Sequence, residues 1–307
     1  MLDHSQLFIA LNRQLFGMKI VCVVGCRKQV HQRLESLHGK TDILDSSSKL
    51  GIRVTTPETL RILQEEAGFC RFEVERLLNR HLRNKGANCN VVSGCFTTAK
   101  KFGVLDGVDY QHTGYPTTLQ TDRIHRFHSK HDVVLLTPLG FTESGNALNI
   151  HSEALAAFTA GALDASKLVY FSSNPMILRG SSNDNSNQRI QMIERSNALQ
   201  ILEHYGLDVN ANGFPRWKNN DDFDEHLNHD QQAMLLKMGW ATHAINLGVE
   251  RAHIIDCEEG ALLEELFTAR RGYGTCISQD GYEAPHPEDS NDDMSVADEL
   301  FTGTIDR

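Results

Sequence analysis

The chain has 307 residues, of which 40% are hydrophobic, and its formal net charge is -10. These values fit a folded protein with one large α/β domain or two small ones. The negative charge argues against a nucleic-acid partner, because phosphate binding needs a basic surface. No apolar run approaches the roughly 18 residues of a membrane span, so no membrane partner is expected.

The N-terminal half alternates apolar runs with helical spacings. Residues 1–17 lack the basic leader and long apolar segment of a signal peptide, and they are predicted to form an amphipathic helix. Apolar runs then predict strands at Met18–Gly25, Asn90–Phe96, Val133–Leu136 and Ala147–Ile150. Apolar residues at helical spacing predict helices at Lys28–Leu37 and Ser152–Leu163.

A further helix is predicted to begin at Pro57. Thr56 offers a capping hydroxyl, and proline is favoured at the first helical position. This helix is predicted to break or bend near Gly68, before a second helical pattern from Phe72 to Leu78.

The C-terminal half continues the alternation. It is predicted to contain a strand at Lys167–Phe171, a loop at 173–189, a helix at Gln188–Tyr205, a polar excursion at 208–230, a helix at Gln231–Leu247, a strand at His253–Asp256, a helix at Ala261–Ala269 and a last strand at Cys276–Ser278. This order predicts a mostly parallel sheet covered by helices on both faces. Residues 279–307 contain nine Asp or Glu and one Arg, so 280–307 is predicted to be an acidic disordered tail or linker.

The sequence contains seven cysteines and three closely spaced histidines. Their spacing does not match that of a metal site. The number of cysteines is odd and no pair has C-x-x-C spacing, so reduced, mostly buried thiols are expected. His125, His128 and His131 lie three residues apart and could share a helix face. No carboxylate or cysteine partner accompanies them, so a solvated surface is expected and no metal site is predicted.

Four blocks of the sequence resemble one family. NVVSGCFTTAKKFGVLDGVDYQHTG (90–114) is similar to the characteristic segment of bacterial and plant-type N-acetylglutamate synthases. GIRVTTPETL (51–60), SGNALNIHSEALA (144–156) and HIIDCEEGALLEELFTARRGYGTCI (253–277) resemble blocks shared by those synthases and by acetylglutamate kinases. The blocks occur in the family's order, and the resemblance covers about residues 10–279.

The resemblance implies an amino-acid-kinase-like domain over residues 1–279. This is a three-layer α/β fold with an open, mainly parallel sheet between helices. In the synthases this domain binds the feedback inhibitor L-arginine. A separate C-terminal acetyltransferase domain moves the acetyl group from acetyl-CoA to L-glutamate in the first step of arginine biosynthesis.

That second domain and the family's first strand have no recognisable counterpart in the sequence, so the chain is expected to be truncated at both ends. It is expected to need no cofactor and to have no catalytic residues for acetyl transfer, since acetyl-CoA would be the substrate of the missing domain. Expected partners are L-arginine, glutamate or N-acetylglutamate, and further copies of the chain in a homo-oligomer. The expected compartment is the cytoplasm, or the plastid stroma in a plant or alga.

The resemblance also implies an arginine site at Lys237, His253, Glu265 and Gly272. Glu265 could pair with a guanidinium or an α-ammonium group, and the glycine turn could present backbone groups to a small ligand. Lys237 also matches a kinase lysine at the phosphoryl-transfer site. Without the resemblance, Lys237 and Glu265 are ordinary exposed helix residues.

A second group of residues matches the pocket for the acylated amino acid in the kinases. Arg53 matches an arginine that grips a carboxylate, which suits the fork of a guanidinium. Asn149 matches a ligand-contacting asparagine. As alternatives, Arg53 is a surface residue and Asn149 is a turn residue.

Two functions remain as alternatives to arginine sensing within a synthase. The first is acetylglutamate kinase. Against it, only Gly25 survives in the turn that is glycine-rich in the kinases, where Cys26 and Arg27 now stand, and glycines there let backbone N–H groups approach phosphate. Glu153 also stands where the kinases have an aspartate. The second alternative is a non-catalytic arginine-binding protein.

Overall fold

The chain divides into two compact units, residues 1–163 (unit 1) and 164–307 (unit 2). The computed structural model describes residues 18–38, 51–84, 89–105, 107–172, 177–179, 187–189, 191–209, 214–218, 229–257, 261–262, 265 and 274–282. The predicted division into a domain at 1–279 and a tail at 280–307 stays a prediction. Residues 283–307 lie outside the described part.

The described part of unit 1 alternates helices and short strands. Its helices are α1 (Arg27–His38), α2 (Pro57–Asn84), α3 (Thr121–His128) and α4 (Ser152–Ala162). Its strands are β1 (Val21–Val23), β2 (Val91–Ser93), β3 (Thr97–Lys101), β4 (Val104–Leu105), β5 (Val108–Asp109), β6 (Thr113–Leu119), β7 (Val133–Leu136), β8 (Leu139–Phe141) and β9 (Ala147–Ile150).

A parallel sheet of order β1–β7–β2 forms the centre of unit 1. The middle strand β7 is buried along its whole length. Its side chains alternate between two cores, as the period of a strand requires. Val133 and Leu135 pack with α1 and α2, whereas Val134 and Leu136 pack with α3 and α4. Unit 1 therefore has the predicted layers of helices, parallel sheet and helices.

Four further strands of unit 1, β3, β6, β9 and β8, close into a small barrel. Glycine is needed where the strands approach closely. A Cβ atom on Gly140 would lie 2.4 Å from Ile150 Cδ1 and 2.8 Å from Ala99 Cβ. Leu148 and Ile150 of β9 are fully buried, so the side chains themselves fill the barrel.

Helix α2 begins as predicted but does not break. Thr59 N–H donates to Thr56 Oγ1 at 3.1 Å, which is the predicted N-cap. The helix runs unbroken to Asn84, so the predicted break near Gly68 is wrong. Buried side chains continue on both sides of the glycine, including Ala67 and Cys70. Their burial outweighs the roughly 1 kcal/mol that glycine costs inside a helix.

The described part of unit 2 has a mixed sheet of order β10–β16–β17–β13. β16 is parallel to β10 and antiparallel to β17, which is parallel to β13. The helices are α5 (Arg195–His204) and α6 (His229–Asn246). The strands are β10 (Lys167–Ser172), β11 (Ile177–Arg179), β12 (Asn187–Arg189), β13 (Met192–Glu194), β14 (Leu207–Val209), β15 (Pro215–Trp217), β16 (Arg251–Asp256) and β17 (Thr275–Ser278).

Three predictions for unit 2 are wrong. The predicted loop at 173–189 contains the antiparallel pair β11–β12. The helix predicted from Gln188 begins only at Arg195, because Met192–Glu194 pairs with β17 instead. The polar excursion at 208–230 contains part of a second antiparallel pair, β14–β15. The strands predicted near 167, 253 and 276 and the helix from 231 are confirmed.

The segment after β17 is fixed to the start of α5. Asp280 accepts hydrogen bonds from Arg195 Nη2 at 2.7 Å and from Ser196 N–H at 2.8 Å. The guanidinium of Arg251 lies over the ring of Tyr282, 5.3 Å from its centroid.

None of the helices in the described part of the chain is long and apolar enough to cross a membrane. All seven cysteines are free thiols, and five of them are at least partly buried, as predicted for most of them. Cys95 and Cys257 are exposed.

Candidate functional site

Unit 1 contains a cavity of about 160 Å³, called here the unit 1 cavity. Three segments meet around it: the turn from β1 into α1, the segment that leads into α2, and the junction of β9 with α4. Its lining residues are Cys26, Arg27, Val30, Gly51, Ile52, Arg53, Thr59, Leu63, Pro138, Asn149, Ile150, His151, Ser152 and Glu153. The structure therefore brings Arg53 and Asn149, which lie 96 positions apart in sequence, to one site.

Buried hydroxyl groups hold Arg53 and Asn149 in place. Asn149 Nδ2 donates to Thr55 Oγ1 at 2.8 Å, and Thr113 Oγ1 donates to the carbonyl oxygen of Arg53 at 2.7 Å. The two threonine hydroxyl oxygens lie 2.9 Å apart, and both residues are fully buried. Because an unsatisfied buried hydroxyl is unfavourable, this network fixes the backbone at Arg53 and the amide of Asn149 together.

The turn from β1 into α1 differs from a phosphate-binding glycine turn. A Cβ atom on Gly25 would lie 3.0 Å from Ser152 Oγ, so this glycine allows β1 to approach the start of α4. Cys26 is buried, and burial raises the pKa of its thiol to about 12. It is therefore a neutral core residue. Arg27 begins α1 and is exposed, and it lines the cavity.

The first residues of α4 also line the cavity. Glu153 lines the cavity, and its Oε2 lies 3.3 Å from His151 Nδ1. The backbone N–H groups of a first helical turn carry partial positive charge. The cavity thus combines two guanidinium groups, one carboxylate and a helix N-terminus.

A second polar cluster, in unit 2, contains two of the predicted arginine-site residues. His253 on β16 and Glu265 are 4% and 3% exposed. His253 Nδ1 lies 2.5 Å from Glu265 Oε1, and Gly274 N–H donates to Glu265 Oε2 at 2.8 Å. Both carboxylate oxygens of Glu265 therefore have partners within the protein.

The surroundings of Glu265 favour its ionised form. Burial by itself would raise the pKa of this carboxyl, but the hydrogen bonds from His253 and Gly274 outweigh it and lower the pKa. Cys276 Sγ lies 3.9 Å from the other ring nitrogen of His253, and burial raises the pKa of this thiol to about 12. The cluster consists of one carboxylate, one imidazole and one neutral thiol.

Gly274 belongs to this cluster for a steric reason. A Cβ atom there would lie 2.3 Å from the carbonyl oxygen of Ile254 and 2.6 Å from Ile255 Cγ2. Only glycine lets the backbone N–H reach Glu265 at this position. Gly272, which was predicted for the site, lies outside the described residues.

Lys237 lies on α6 and faces the C-terminal end of β10. Its Nζ donates to the carbonyl oxygen of Phe171 at 2.8 Å. Ligands of open α/β sheets bind beyond the carboxyl ends of strands, so this position is compatible with a ligand role. The structure gives no hydrogen bond that joins Lys237 to the His253–Glu265 pair within the described part of the chain.

The expectation of a solvated histidine face is confirmed for His125 and His131, which are exposed, and is wrong for His128. α3 ends at His128, and His131 follows it with a left-handed φ of 63°. His128 is buried, with Nε2 3.3 Å from the carbonyl oxygen of Ile20, and burial lowers its pKa. The described residues contain no group of three His, Cys, Asp or Glu that could hold a metal ion.

Residues 8–256 match the amino acid kinase family. The chain belongs to this family. It is 34% identical over 271 residues to the amino-acid acetyltransferase of Ralstonia nicotianae. The matched region covers 87% of this chain and 52% of that protein. It is 32% identical over 271 residues to the amino-acid acetyltransferase of Azotobacter vinelandii. That match covers 87% of this chain and 55% of the relative. The chain thus spans about half the length of these curated relatives.

Solved structures give the same picture of this amino acid kinase family member. The N-acetylglutamate synthase from Neisseria gonorrhoeae complexed with coenzyme A and N-acetyl-glutamate has a TM-score of 0.70 and 25% identity, over 92% of this chain and 56% of that chain. Its complex with coenzyme A and L-arginine has a TM-score of 0.69 and 25% identity, over 90% and 57%. Carbamate kinase from Giardia lamblia bound to AMP-PNP, at 14% identity with a TM-score of 0.59, supports the fold alone.

These comparisons confirm the predicted fold and the predicted resemblance to N-acetylglutamate synthases. They leave the individual site residues of this amino acid kinase family member as predictions. The sequence did not predict the hydrogen-bond network of Thr55 and Thr113 or the position of Arg27 in the cavity lining. Thr113 lies within the block that resembles the synthases, but only a three-dimensional contact joins it to Thr55, 58 positions away.

Proposed function

We propose that this chain is the arginine-sensing part of an amino-acid acetyltransferase of the N-acetylglutamate synthase type. The observation that carries the proposal is its similarity, over 90% of its length, to a synthase solved with L-arginine. The reaction of the parent enzyme would be acetyl transfer from acetyl-CoA to L-glutamate, in arginine biosynthesis. The compartment proposed with this function is the cytoplasm, or the plastid stroma in a plant or alga, where cysteines stay reduced.

The His253–Glu265 pair supports the proposal chemically. Glu265 is a buried, ionised carboxylate, and such a group binds a guanidinium or ammonium group strongly. In the structure His253 Nδ1 contacts one of its oxygens, Oε1. Arginine would therefore replace the imidazole at Oε1, while the N–H of Gly274 keeps Oε2. The exchange avoids leaving the carboxylate buried without a partner at any stage.

Calorimetric titration of the purified chain with L-arginine tests the proposal. Glu265→Gln removes the negative charge and keeps the size of the side chain. We expect the Kd for arginine to rise about ten- to hundredfold, the value of a hydrogen bond to a charged group. The control is Glu203→Gln, because that side chain is 73% exposed and pairs only with Lys218 among the described contacts. Equal affinities of the two variants would exclude Glu265 from the site, and no arginine binding by the wild type would overturn the proposal.

Acetylglutamate kinase is the second candidate, since Arg53 and Asn149 both line the unit 1 cavity. The buried Cys26 and the arginine at position 27 count against it, because a phosphate cradle needs accessible backbone N–H groups. An ATP-dependent assay of N-acetylglutamate phosphorylation decides between the two functions. Clear turnover would reverse their order. Arginine binding without turnover is also expected of a non-catalytic arginine-binding protein, so acetyl transfer by the whole parent enzyme must be assayed separately.

A further inference from the structure

A histidine and a cysteine face each other across two strands of unit 2. His253 on β16 and Cys276 on β17 are direct partners in the antiparallel register, so both side chains lie on the same face of the sheet. His253 Nε2 lies 3.9 Å from Cys276 Sγ. The contact between His253 and Glu265 uses the other ring nitrogen, Nδ1, so one imidazole joins the carboxylate and the thiol.

Glu265 determines which ring nitrogen of His253 carries the proton. An ionised carboxylate can only accept a hydrogen bond, so His253 Nδ1–H donates to Glu265 Oε1. In the neutral imidazole Nε2 then has a lone pair, and this atom is the one nearest to Cys276 Sγ. Carboxylates support metal-binding histidines in this way, because they fix the orientation of the ring and make the free nitrogen a better donor.

The distance between the two donor atoms suits a single metal ion between them. Bonds to zinc are about 2.0 Å from an imidazole nitrogen and about 2.3 Å from a thiolate sulfur, so an ion of this size spans up to about 4.3 Å. The observed 3.9 Å fits a slightly bent arrangement. Cys276 is partly exposed, whereas His253 is buried, so an ion from solvent can reach the sulfur.

The number of donors and the local charge select the kind of ion. Zinc takes at least three protein ligands, whereas the described residues offer two donors here. Cu(I) is a soft ion that prefers thiolate and also binds imidazole, and two donors can complete its coordination. Because its single charge replaces that of the thiol proton, the buried cluster keeps its net charge. A divalent ion would add positive charge near Arg251 and Lys167, which both act electrostatically on Cys276.

We propose that His253 and Cys276 form a binding site for a soft monovalent metal ion of the Cu(I) class, with Glu265 as the positioning residue for the imidazole. On binding, the S–H bond breaks and the proton leaves to solvent, while a metal–sulfur and a metal–nitrogen bond form. No atom changes its oxidation state. The bound ion keeps Nδ1 on Glu265, whereas arginine would displace it, so the two ligands should compete. This competition rests on the proposed function, but the metal site does not.

Competition between the full chain and the Cu(I) chelator bicinchoninate, in thiol-free buffer with ascorbate and without oxygen, tests the proposal. The background is Cys95→Ser with Cys257→Ser, because these two thiols are exposed. It should retain about one equivalent of Cu(I), and adding Cys276→Ala should abolish this binding. The matched control is Cys22→Ala, since that thiol is also partly buried and its pKa is also raised to about 12; it should bind as the background does.

X-ray absorption at the copper edge identifies the donors. The background protein should show one nitrogen and one sulfur donor. Glu265→Gln should show the same donors but bind Cu(I) about ten- to hundredfold more weakly, as expected for the loss of a group that positions a ligand. The proposal is overturned if the background retains no Cu(I) against the chelator, if Cys276→Ala retains as much as the background, or if the spectrum contains sulfur donors alone.

Calorimetry with L-arginine separates the metal site from the proposed function. Without metal, the titration tests arginine binding alone, whatever the copper experiments give. With free Cu(I) buffered at about ten times its Kd, the apparent Kd for arginine should rise roughly tenfold. An unchanged value would refute the competition, and the chelator experiments decide the metal site even if arginine does not bind at all.

Discussion

Removing the carboxylate of Glu265 should destabilise unit 2 far more than removing an exposed carboxylate. Glu265→Ala leaves the imidazole of His253 buried and deprives the N–H of Gly274 of its acceptor. A buried donor left without its acceptor costs about 1–3 kcal/mol, and two such donors lose their acceptor here, so a loss of roughly 2–6 kcal/mol is expected. That is a large fraction of the roughly 5–15 kcal/mol that stabilises a typical protein.

Tryptophan fluorescence during urea unfolding measures this loss where it occurs. The chain has two tryptophans, and both Trp217 and Trp240 are buried in unit 2. The control is Glu203→Ala in the same unit, for which about 0–1 kcal/mol is expected from an exposed ion pair. A loss below about 1 kcal/mol for Glu265→Ala, at an unchanged denaturant slope, would refute the structural role of the pair.

The same pair predicts a pH dependence. The pKa of Glu265 in the folded chain lies below its ordinary value of 4.5. The folded state therefore binds this proton more weakly than the unfolded state, so stability from Glu265 is fully present above about pH 4.5. It is lost as the pH falls through the lowered pKa. The difference in unfolding free energy between wild type and Glu265→Ala should be constant near neutral pH and should shrink below pH 4.5.

Three further predictions concern single side chains. Burial lowers the pKa of His243 from 6.5 to about 4. The unfolding free energy of unit 2 should therefore fall by up to about 3 kcal/mol as the pH falls from 6.5 to 4. Measured by unfolding at several pH values, His243→Phe should remove this loss. Gly274→Ala should prevent soluble expression or cost several kcal/mol of unfolding free energy, because the new Cβ atom would clash with Ile254. Gly68 has open space around it, so Gly68→Ala should instead stabilise the chain by about 0.5–1 kcal/mol in thermal unfolding. Thr56→Ala should cost about 1 kcal/mol in urea unfolding followed by circular dichroism, and Thr56→Ser should restore most of it; no loss in Thr56→Ala would contradict its capping role.

Local signals in the sequence predicted the elements that form largely by themselves. The cap at Thr56 and the apolar spacing of α1, α4 and α6 identify those helices, and the buried run Val133–Leu136 identifies a central strand. Each of these signals lies within a few residues of the element that it specifies, so no knowledge of distant partners is needed.

The wrong predictions share a non-local cause. β13 forms because β17, more than eighty positions later, offers it backbone partners, whereas its own residues also suit a helix. The pairs β11–β12 and β14–β15 consist of strands of three residues each, too short for alternation to be seen. At Gly68, packing of the rest of α2 overrides a local preference.

The candidate sites were predictable only in part for the same reason. The resemblance to the synthases led to Arg53, Asn149, Lys237, His253 and Glu265 one residue at a time. It could not tell that Glu265 already has two partners in the protein, because His253 and Gly274 reach it through the fold. It also could not show that the side chains of Arg27 and Glu153 line the same cavity as Arg53. The chemistry of both sites depends on these contacts.

The filled barrel of unit 1 limits how the cavity can change in evolution. On β9, Leu148 and Ile150 fill the barrel interior, and Asn149 between them faces the opposite way, with its amide bonded to Thr55. A substitution at position 149 changes the lining of the cavity and the hydrogen bond to Thr55, but it leaves both apolar side chains in place. An insertion of one residue within β9 would turn Asn149 inward and expose both apolar side chains. New ligand specificities can therefore be reached in this lineage by point mutation at position 149, but not by a change in the length of the strand that carries it.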